Sequence, residues 1–157
     1  MRGSLLAVCL LTVLAWPATL SAQLDVGPQA SWADDADFGI GGRAMLGIPV
    51  DIPLAAIGSF DYFFPDGDVD YWEINANAVY KFRVPGGVVA PYAGAGLNVA
   101  HTSVGDLSET DVGLNLLGGA TFDAGQLTPF AELRVELGGG EQFVLTGGLL
   151  FTVGPGL

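Results

Sequence analysis

The stretch from residue 71 to residue 82, Tyr-Trp-Glu-Ile-Asn-Ala-Asn-Ala-Val-Tyr-Lys-Phe, alternates almost without error between polar and apolar side chains. A period of two is that of an extended strand with one apolar and one polar face. The run from Trp72 to Phe82 is roughly 33 Å long at about 3.3 Å per residue. Tilted by about 40°, it covers roughly 25 Å, the height of the apolar band on a membrane-spanning barrel. The pattern therefore predicts a transmembrane β-strand.

Seven further segments alternate in the same way, and together they predict eight strands at about 24–32, 37–48, 54–64, 70–82, 88–102, 111–123, 128–138 and 142–153. The apolar side chains carry even numbers in the first four strands and the sixth, and odd numbers in the fifth, seventh and eighth. We therefore predict an all-β fold, an eight-stranded antiparallel up-and-down transmembrane β-barrel.

The links between these strands alternate in character. Short turns are predicted at 48–53, 83–87 and 123–127. The other links are more acidic and lie at 33–36, 65–69, 103–110 and 138–141. Because a barrel has a periplasmic and an exterior rim, we expect the acidic links to be short extracellular loops and both termini to be periplasmic.

The N-terminal residues have the pattern of a secretory signal: Arg2, an apolar run over 5–16, and small residues up to Ala22. The apolar run is shorter than the ~20 residues that a membrane-spanning helix needs. We therefore divide the chain into a cleaved signal peptide, 1–22, and a barrel domain, 23–157. Cleavage would remove Cys9, the one cysteine of the chain, and with it any disulfide or thiolate chemistry.

The charge of the chain excludes several classes of function. After cleavage, four basic residues would remain against 17 acidic ones, a formal charge of −13. A chain without a basic patch does not bind nucleic acid through its phosphates. A soluble lipocalin-type barrel is the alternative fold, with its charged face outward. The polar face, however, carries both signs in near balance and the chain has almost no lysine, which favours the transmembrane barrel.

The charged residues on the polar face predict a cross-linked lumen. They are Arg43, Asp61, Glu73, Lys81, Glu132, Arg134 and Glu136. An eight-stranded barrel is only wide enough for its inner side chains to fill, so we expect a polar plug. The predicted hairpins place Asp61 beside Glu73, and Arg43 beside Ser59 and diagonal to Asp61. We therefore expect Arg43 to relieve the repulsion between the two carboxylates.

Aromatic residues at the strand ends predict two interfacial girdles. One girdle, near the acidic links, comprises Trp32, Tyr62, Phe64, Trp72 and Phe143. The other, near the short turns, comprises Tyr80, Phe82, Phe122 and Phe151.

The later strands resemble a known family. Their sequences are Ala-Pro-Tyr-Ala-Gly-Ala-Gly-Leu-Asn at 90–98, Thr-Pro-Phe-Ala-Glu-Leu-Arg-Val-Glu at 128–136, and Phe-Val-Leu-Thr-Gly-Gly-Leu-Leu-Phe at 143–151. These segments resemble the small outer-membrane β-barrels of OmpA/OmpX, OmpW-like and opacity type. The resemblance implies the outer membrane of a Gram-negative-type bacterium, contact with lipid and lipopolysaccharide, and assembly by the barrel-insertion machinery, for which Phe151 is the candidate signal. It implies no cofactor.

A catalytic alternative depends on the one histidine. His101 and Ser103 fall on the outward face of the fifth strand, an arrangement loosely similar to the His-x-Ser of lipid A deacylases. Glu109 or Asp111 would have to orient the imidazole. The simpler interpretation is a rim histidine beside a loop serine, and we predict no enzyme.

The acidic links raise the question of a metal site. Asp66, Asp68 and Asp70 resemble the start of a calcium loop, but the later Gly and Glu of an EF-hand are absent. We predict no metal site, and a diffuse acidic surface that attracts divalent cations and also includes Asp34, Asp35, Asp37, Asp106, Glu109 and Asp111.

These patterns predict a plugged outer-membrane barrel with a structural role, or with a role in recognition at the cell surface through short acidic loops. The extracellular ligand is unknown. The alternative is an OmpW-like conduit for small apolar solutes, which would need an apolar trough through the lumen. The charges on the inner face argue against such a trough.

Overall fold

A computed structural model describes residues 22–138 and 141–154, and in this part of the chain every regular element is a β-strand. The strands are β1 (Leu24–Ala33), β2 (Asp37–Gly47), β3 (Leu54–Phe63), β4 (Val69–Lys81), β5 (Val89–Val104), β6 (Leu107–Phe122), β7 (Leu127–Leu137) and β8 (Gln142–Val153). The predicted fold class is confirmed. The predicted signal peptide lies outside the described residues except for Ala22, so its cleavage stays a prediction.

The strands form one closed barrel in which each strand pairs antiparallel with the next. The barrel closes where β1 pairs with β8, with Leu24 opposite Val153 and Ala33 opposite Val144. Closure leaves no strand edge unpaired, which is what a sheet needs when its outer face lies in hydrocarbon.

One hairpin differs from its prediction. The sequence predicts a loop at 103–110, but β5 and β6 are 16 residues each and meet at a turn of two residues, Gly105 and Asp106. Glu109 therefore lies within the ladder, opposite Thr102. Gly105 has φ 59°, a value that a two-residue hairpin turn of this kind requires.

The alternation of the sequence appears as two faces of the barrel wall. Large apolar side chains point outward and are exposed, as at Ile40, Ile74 and Leu97. Neighbouring residues of opposite parity point into the lumen and are buried, as at Arg43, Glu73 and Asn98. Among the described residues, no helix is long and apolar enough to cross a membrane.

Two glycines allow β5 to lie tightly against β4. A Cβ atom at Gly94 would sit 2.0 Å from the Ala78 carbonyl oxygen, and one at Gly96 would sit 2.1 Å from that of Ala76. Both distances are far below van der Waals contact, so any side chain would force the strands apart. The strong curvature of a narrow barrel explains why glycine stands at these inward positions.

Candidate functional site in the barrel lumen

The first ion pair of the lumen joins β2 to β7. Arg43 donates two hydrogen bonds to Glu132, from Nη1 to Oε2 at 2.6 Å and from Nη2 to Oε1 at 2.8 Å. Its Nε donates to Gln29 Oε1 at 2.8 Å, and the guanidinium carbon lies 4.2 Å from the centre of the Phe130 ring. This bidentate geometry is the strongest that an arginine makes with a carboxylate, and both side chains are almost wholly buried.

The second arginine of the lumen joins β7 to β4 and lies at its centre. Arg134 is fully buried. Its Nε donates to Glu136 Oε1 at 2.8 Å, and its Nη2 donates to Glu73 Oε2 at 3.1 Å. Its Nη1 lies 3.9 Å from Glu132 Oε1, so Glu132 faces both arginines. The two arginines and their partners therefore form one connected group.

Carboxylates outnumber arginines in this group. Four acidic side chains, Asp61, Glu73, Glu132 and Glu136, are buried with two arginines, Arg43 and Arg134. Within the described residues these six side chains therefore carry a formal charge of −2 when all the carboxylates are ionised. We call these six residues the charged network.

Neutral donors satisfy the remaining carboxylate oxygens. Gln29 donates to both oxygens of Asp61, at 2.7 and 2.9 Å, and Ser31 donates to Oδ1 at 3.1 Å. Tyr92 donates to Glu132 at 2.7 Å. Gln142 donates to Glu136 at 2.7 Å and also to Glu73, which accepts a further bond from Tyr71. A buried charge is tolerated when its hydrogen-bonding capacity is met in this way.

Two expectations for the network need correction. The register was predicted correctly, since Asp61 pairs with Glu73 and Arg43 with Ser59. Arg43, however, bonds to Glu132 across the lumen, and it is Gln29 and Ser31 that bond to Asp61. Lys81 has inward parity but is half-buried at the end of β4, and it forms no ion pair with any described residue. It is therefore not part of the charged network.

Beside the charged network lies a group of asparagines that the sequence analysis missed. Asn115 Nδ2 donates to Asn75 Oδ1 and to Asn77 Oδ1, both at 2.9 Å, and Asn98 donates to Asn115 Oδ1 at 3.0 Å. All four residues are buried. Their inward parity was visible in the sequence, and an uncharged amide on the inner face could have been included in the predicted plug.

An apolar layer fills the lumen on the short-turn side of the charged network. Its members are Met45, Ala55, Ile57, Val79, Tyr92, Leu117, Phe130 and Leu150, each no more than 6% exposed. A smaller apolar cluster lies on the other side, beside the acidic links, and comprises Ala33, Ala36, Phe63 and Val144. The charged network thus lies between these two apolar groups. This layering was not predicted, although these positions also carry inward parity.

Three buried polar atoms have no hydrogen-bond partner among the described residues: Ser59 Oγ, Asn75 Nδ2 and Arg134 Nη1. Ser59 and Asn75 are directly opposed in the β3–β4 ladder. A buried unpaired donor costs about 1–3 kcal/mol, so the middle of the lumen is the least satisfied part of the interior.

All of the predicted girdle residues point outward. Close to the acidic links, Tyr62 packs on Phe64 with ring centres 5.2 Å apart, and Trp32 and Phe143 are exposed. Close to the short turns, Tyr80 packs on Phe82 at 5.1 Å, and Phe122 and Phe151 are exposed. This placement fits the membrane interfaces, where aromatic rings with polar edges are favoured.

The candidate catalytic residues are not assembled for hydrolysis. The ring of His101 stacks on Trp72 at 5.1 Å, and its Nδ1 lies 2.8 Å from the Thr110 hydroxyl. Among the described contacts, no hydrogen bond joins His101 to Ser103, Glu109 or Asp111. The Nδ1 atom of His101 is therefore bonded to a threonine and to neither of the two candidate acids.

The two rims differ in charge. The rim at the acidic links, which we call the acidic rim, carries Asp34, Asp35, Asp37, Asp66, Asp68, Asp70, Asp106, Glu109, Asp111 and Glu141, and no basic residue within the described ranges. A cavity of about 240 Å³ opens here and is lined in part by Asp35, Tyr71, Asp111 and Glu136. No group of acidic, histidine or cysteine side chains in the described chain is arranged to hold a metal ion.

The closed eight-stranded wall, its apolar outer face and its charged interior define a small transmembrane β-barrel. Residues 3–144 match the model of the outer membrane protein beta-barrel domain family, and the chain belongs to that family. The protein is therefore a protein of the cell outer membrane, as the sequence predicted. Comparison with curated protein sequences gives no match.

Solved structures share the fold. The N-terminal β-barrel domain of Pseudomonas aeruginosa OprF is 17% identical with a TM-score of 0.69, over 83% of this chain and 97% of that domain. Neisserial surface protein A is 21% identical with a TM-score of 0.61, over 83% and 96%. A major outer membrane protein of Thermus thermophilus is 15% identical with a TM-score of 0.61, over 85% and 100%. At such identities the likeness concerns the fold alone.

Proposed function

We propose that this protein is a closed, non-catalytic barrel whose role is structural, or is recognition at the cell surface through its acidic rim. The observation that carries the proposal is the charged network. Arg43 links β2 to β7, and Arg134 links β7 to β4, so bonded side chains cross the lumen in two directions. The apolar layer below them is packed to near-complete burial, which supports a plug rather than a pore.

Conductance measurement tests the plug. Wild-type protein in planar lipid bilayers should show no steady large conductance, because bonded side chains fill the interior of a barrel of this size. A known open porin, inserted in the same bilayers, is the positive control. A stable open state of the wild-type protein would contradict the proposal.

We further propose that the acidic rim faces the exterior. The alternation of link types supports this orientation, as does the shared rim of the start of β1 and the end of β8. A protease site inserted between Gly105 and Asp106, or after Asp66, should be cut on intact cells. A site within 49–53 should stay protected until the outer membrane is opened. The reverse pattern of cleavage would show that the acidic rim faces the periplasm.

A rim with ten carboxylates and no cation within the described ranges favours a positively charged partner. Outer-membrane lipid, lipopolysaccharide and the insertion machinery are the other partners that we propose.

The bond from His101 to Thr110 supports a barrel without deacylase activity. His101→Asn should therefore leave the lipid A mass spectrum unchanged, and a shift by one acyl chain would identify an enzyme.

An OmpW-like conduit for small apolar solutes is the second candidate, and the apolar layer of the lumen is the observation in its favour. The charged network lies across any route through that layer, which makes the closed barrel the better proposal. Cells with and without the protein should take up a small apolar dye at equal rates. Faster uptake that depends on the protein would favour the conduit.

A further inference from the structure

The basic residues of the described chain occupy two places. Arg43 and Arg134 are buried in the charged network. The other two, Lys81 and Arg83, lie together at the end of β4, on the rim of the short turns. All of the positive charge that the described chain offers outside the lumen is therefore concentrated at one point.

Both of these residues line a cleft of about 370 Å³ between the end of β4 and the start of β5. We call it the rim cleft, and its lining is Pro53, Lys81, Phe82, Arg83, Val84, Gly87, Val89 and Ala90. No carboxylate belongs to this lining. The acidic residues of the adjoining turns are Asp51 and Asp123, and the backbone N–H of Asp123 donates to Val88 at 2.8 Å. The lining of the cleft therefore carries two cations and no carboxylate, on a strongly acidic chain.

The rim cleft crosses from the inner face of the barrel to its outer face. Lys81 and Ala90 have inward parity, whereas Phe82 and Val89 have outward parity. Phe82 is 48% exposed and packs on Tyr80 in the girdle near the short turns. The cleft thus lies at the level of a membrane interface, with cations at one end and apolar side chains at the other.

We infer that the rim cleft binds the phosphate-bearing headgroup of a glycerophospholipid. Lys81 and Arg83 bind the phosphate, and the first part of an acyl chain lies along Phe82 and Val84. Arginine suits phosphate because its guanidinium donates two parallel hydrogen bonds, and lysine adds a second positive charge. A soluble anion would use only the cationic half of this lining, whereas a phospholipid has the apolar part that the other half requires.

A phospholipid in the rim cleft would be bound at a defined position, the end of β4. If the acidic rim faces the exterior, as proposed above, this lipid belongs to the inner leaflet. The acidic rim, which has no cation within the described ranges, would repel the same headgroup. The two rims would then differ in lipid preference as well as in charge.

Titration of isotope-labelled protein in neutral maltoside micelles tests the inference. Dihexanoyl phosphatidylglycerol should produce saturable NMR shifts of the amides of Val84, Gly87 and Val89. Lys81→Gln with Arg83→Gln should weaken binding roughly 25-fold, because each basic residue near an anionic lipid contributes about a fivefold change in affinity. Lys81→Arg with Arg83→Lys keeps the charge and should retain binding.

Two controls distinguish lipid binding at the rim cleft from an effect of net charge and from binding of a free anion. Val104→Asp with Ser108→Asp changes the net charge by the same two units at the acidic rim, and should leave the affinity for phosphatidylglycerol unchanged. Inorganic phosphate should bind far more weakly than the lipid. Equal binding of inorganic phosphate, unchanged lipid affinity in the Lys81→Gln, Arg83→Gln variant, or shifts confined to the other rim would each overturn the inference.

Discussion

The charged network and the apolar layer fill the same lumen in opposite ways. In the charged network, Arg43 and Arg134 are each bonded to carboxylates at 2.6–3.1 Å, and every bond depends on direction. In the apolar layer, residues such as Met45 and Leu150 are buried with no polar contact of their side chains. Packing of this kind depends on volume, not on a particular partner.

This contrast indicates where the barrel tolerates substitution. Removing one member of the charged network leaves a buried charge without its partner, whereas removing a methyl group from the apolar layer leaves only a cavity. The charged network also has fewer arginines than carboxylates, so no other arginine of the network is free to replace one that is removed. The charged network should therefore be the more sensitive part of the interior.

The largest effect is expected for Arg134→Met. It removes the bonds to Glu73 and Glu136 at once, and a broken buried ion pair costs about 3–5 kcal/mol in the free energy of unfolding. Urea unfolding in neutral maltoside micelles, where no phospholipid occupies the rim cleft, followed by tryptophan fluorescence, measures the loss. Lys81→Met is the matched control, since Lys81 is half-buried and outside the network, and it should change stability little. Equal losses for both variants would contradict the distinction.

The next effect is expected for Leu150→Ala in the apolar layer. Leu150 is fully buried, and truncation should cost about 2–4 kcal/mol from lost burial and the cavity that remains. Met45→Leu, which keeps the volume nearly constant, should cost less than about 1.5 kcal/mol in the same unfolding assay. If Met45→Leu were as damaging as Leu150→Ala, the apolar layer would be as specific as the charged network.

A smaller effect is the coupling between Arg43 and Glu132. Each single variant, Arg43→Met or Glu132→Met, leaves a buried charge without its bidentate partner, whereas the double variant removes both charges together. The double variant should be more stable than the sum of the single losses predicts by about 1–3 kcal/mol. Unfolding free energies of the four proteins give this coupling directly. If the two single losses of stability add up to the loss in the double variant, the bidentate pair contributes no coupling energy.

The smallest effect is expected for Ser59→Ala. Ser59 Oγ is buried without a partner among the described residues, so removing it takes away a polar group that gains nothing from burial. Stability should rise slightly or stay within about 0.5 kcal/mol of the wild-type value. Ser31→Ala is the matched control, because Ser31 donates to Asp61 at 3.1 Å and its loss should be destabilising. A larger loss of stability for Ser59→Ala than for Ser31→Ala would show that the Ser59 hydroxyl does form a hydrogen bond.

The sequence predicted the wall of the barrel better than its filling. Strand alternation and turn position determine register, which is why the pairing of Asp61 with Glu73 followed from the residues between them. The partner of Arg43 did not follow, because β2 and β7 meet only across the lumen and their distance depends on closure of the whole ring. Register is a local property of a hairpin, whereas contacts across the lumen are not.

The β5–β6 hairpin was missed for a different reason. Its polar residues from Ser103 to Thr110 look like a loop, yet strand pairing continues through them to the turn at Gly105 and Asp106. Polar side chains suit a strand that extends beyond the membrane, where both of its faces meet water. Composition alone does not separate such a strand from a loop, but the two-residue turn signal could have.

The closure of β1 on β8 has a consequence for the order of assembly. Thr152 donates to Asp25 at 2.7 Å, although the two residues are 127 positions apart in the chain. Until the last strand has been exported, β1 has a partner on one side only, and its other edge is exposed to unwanted pairing. Contacts between such distant parts of a chain form slowly. Completion of the barrel therefore waits for the C-terminal end of the described chain. Pairing of β1 with β8 is then the last step of assembly. The interval before this step is the period in which the chain most needs protection from aggregation.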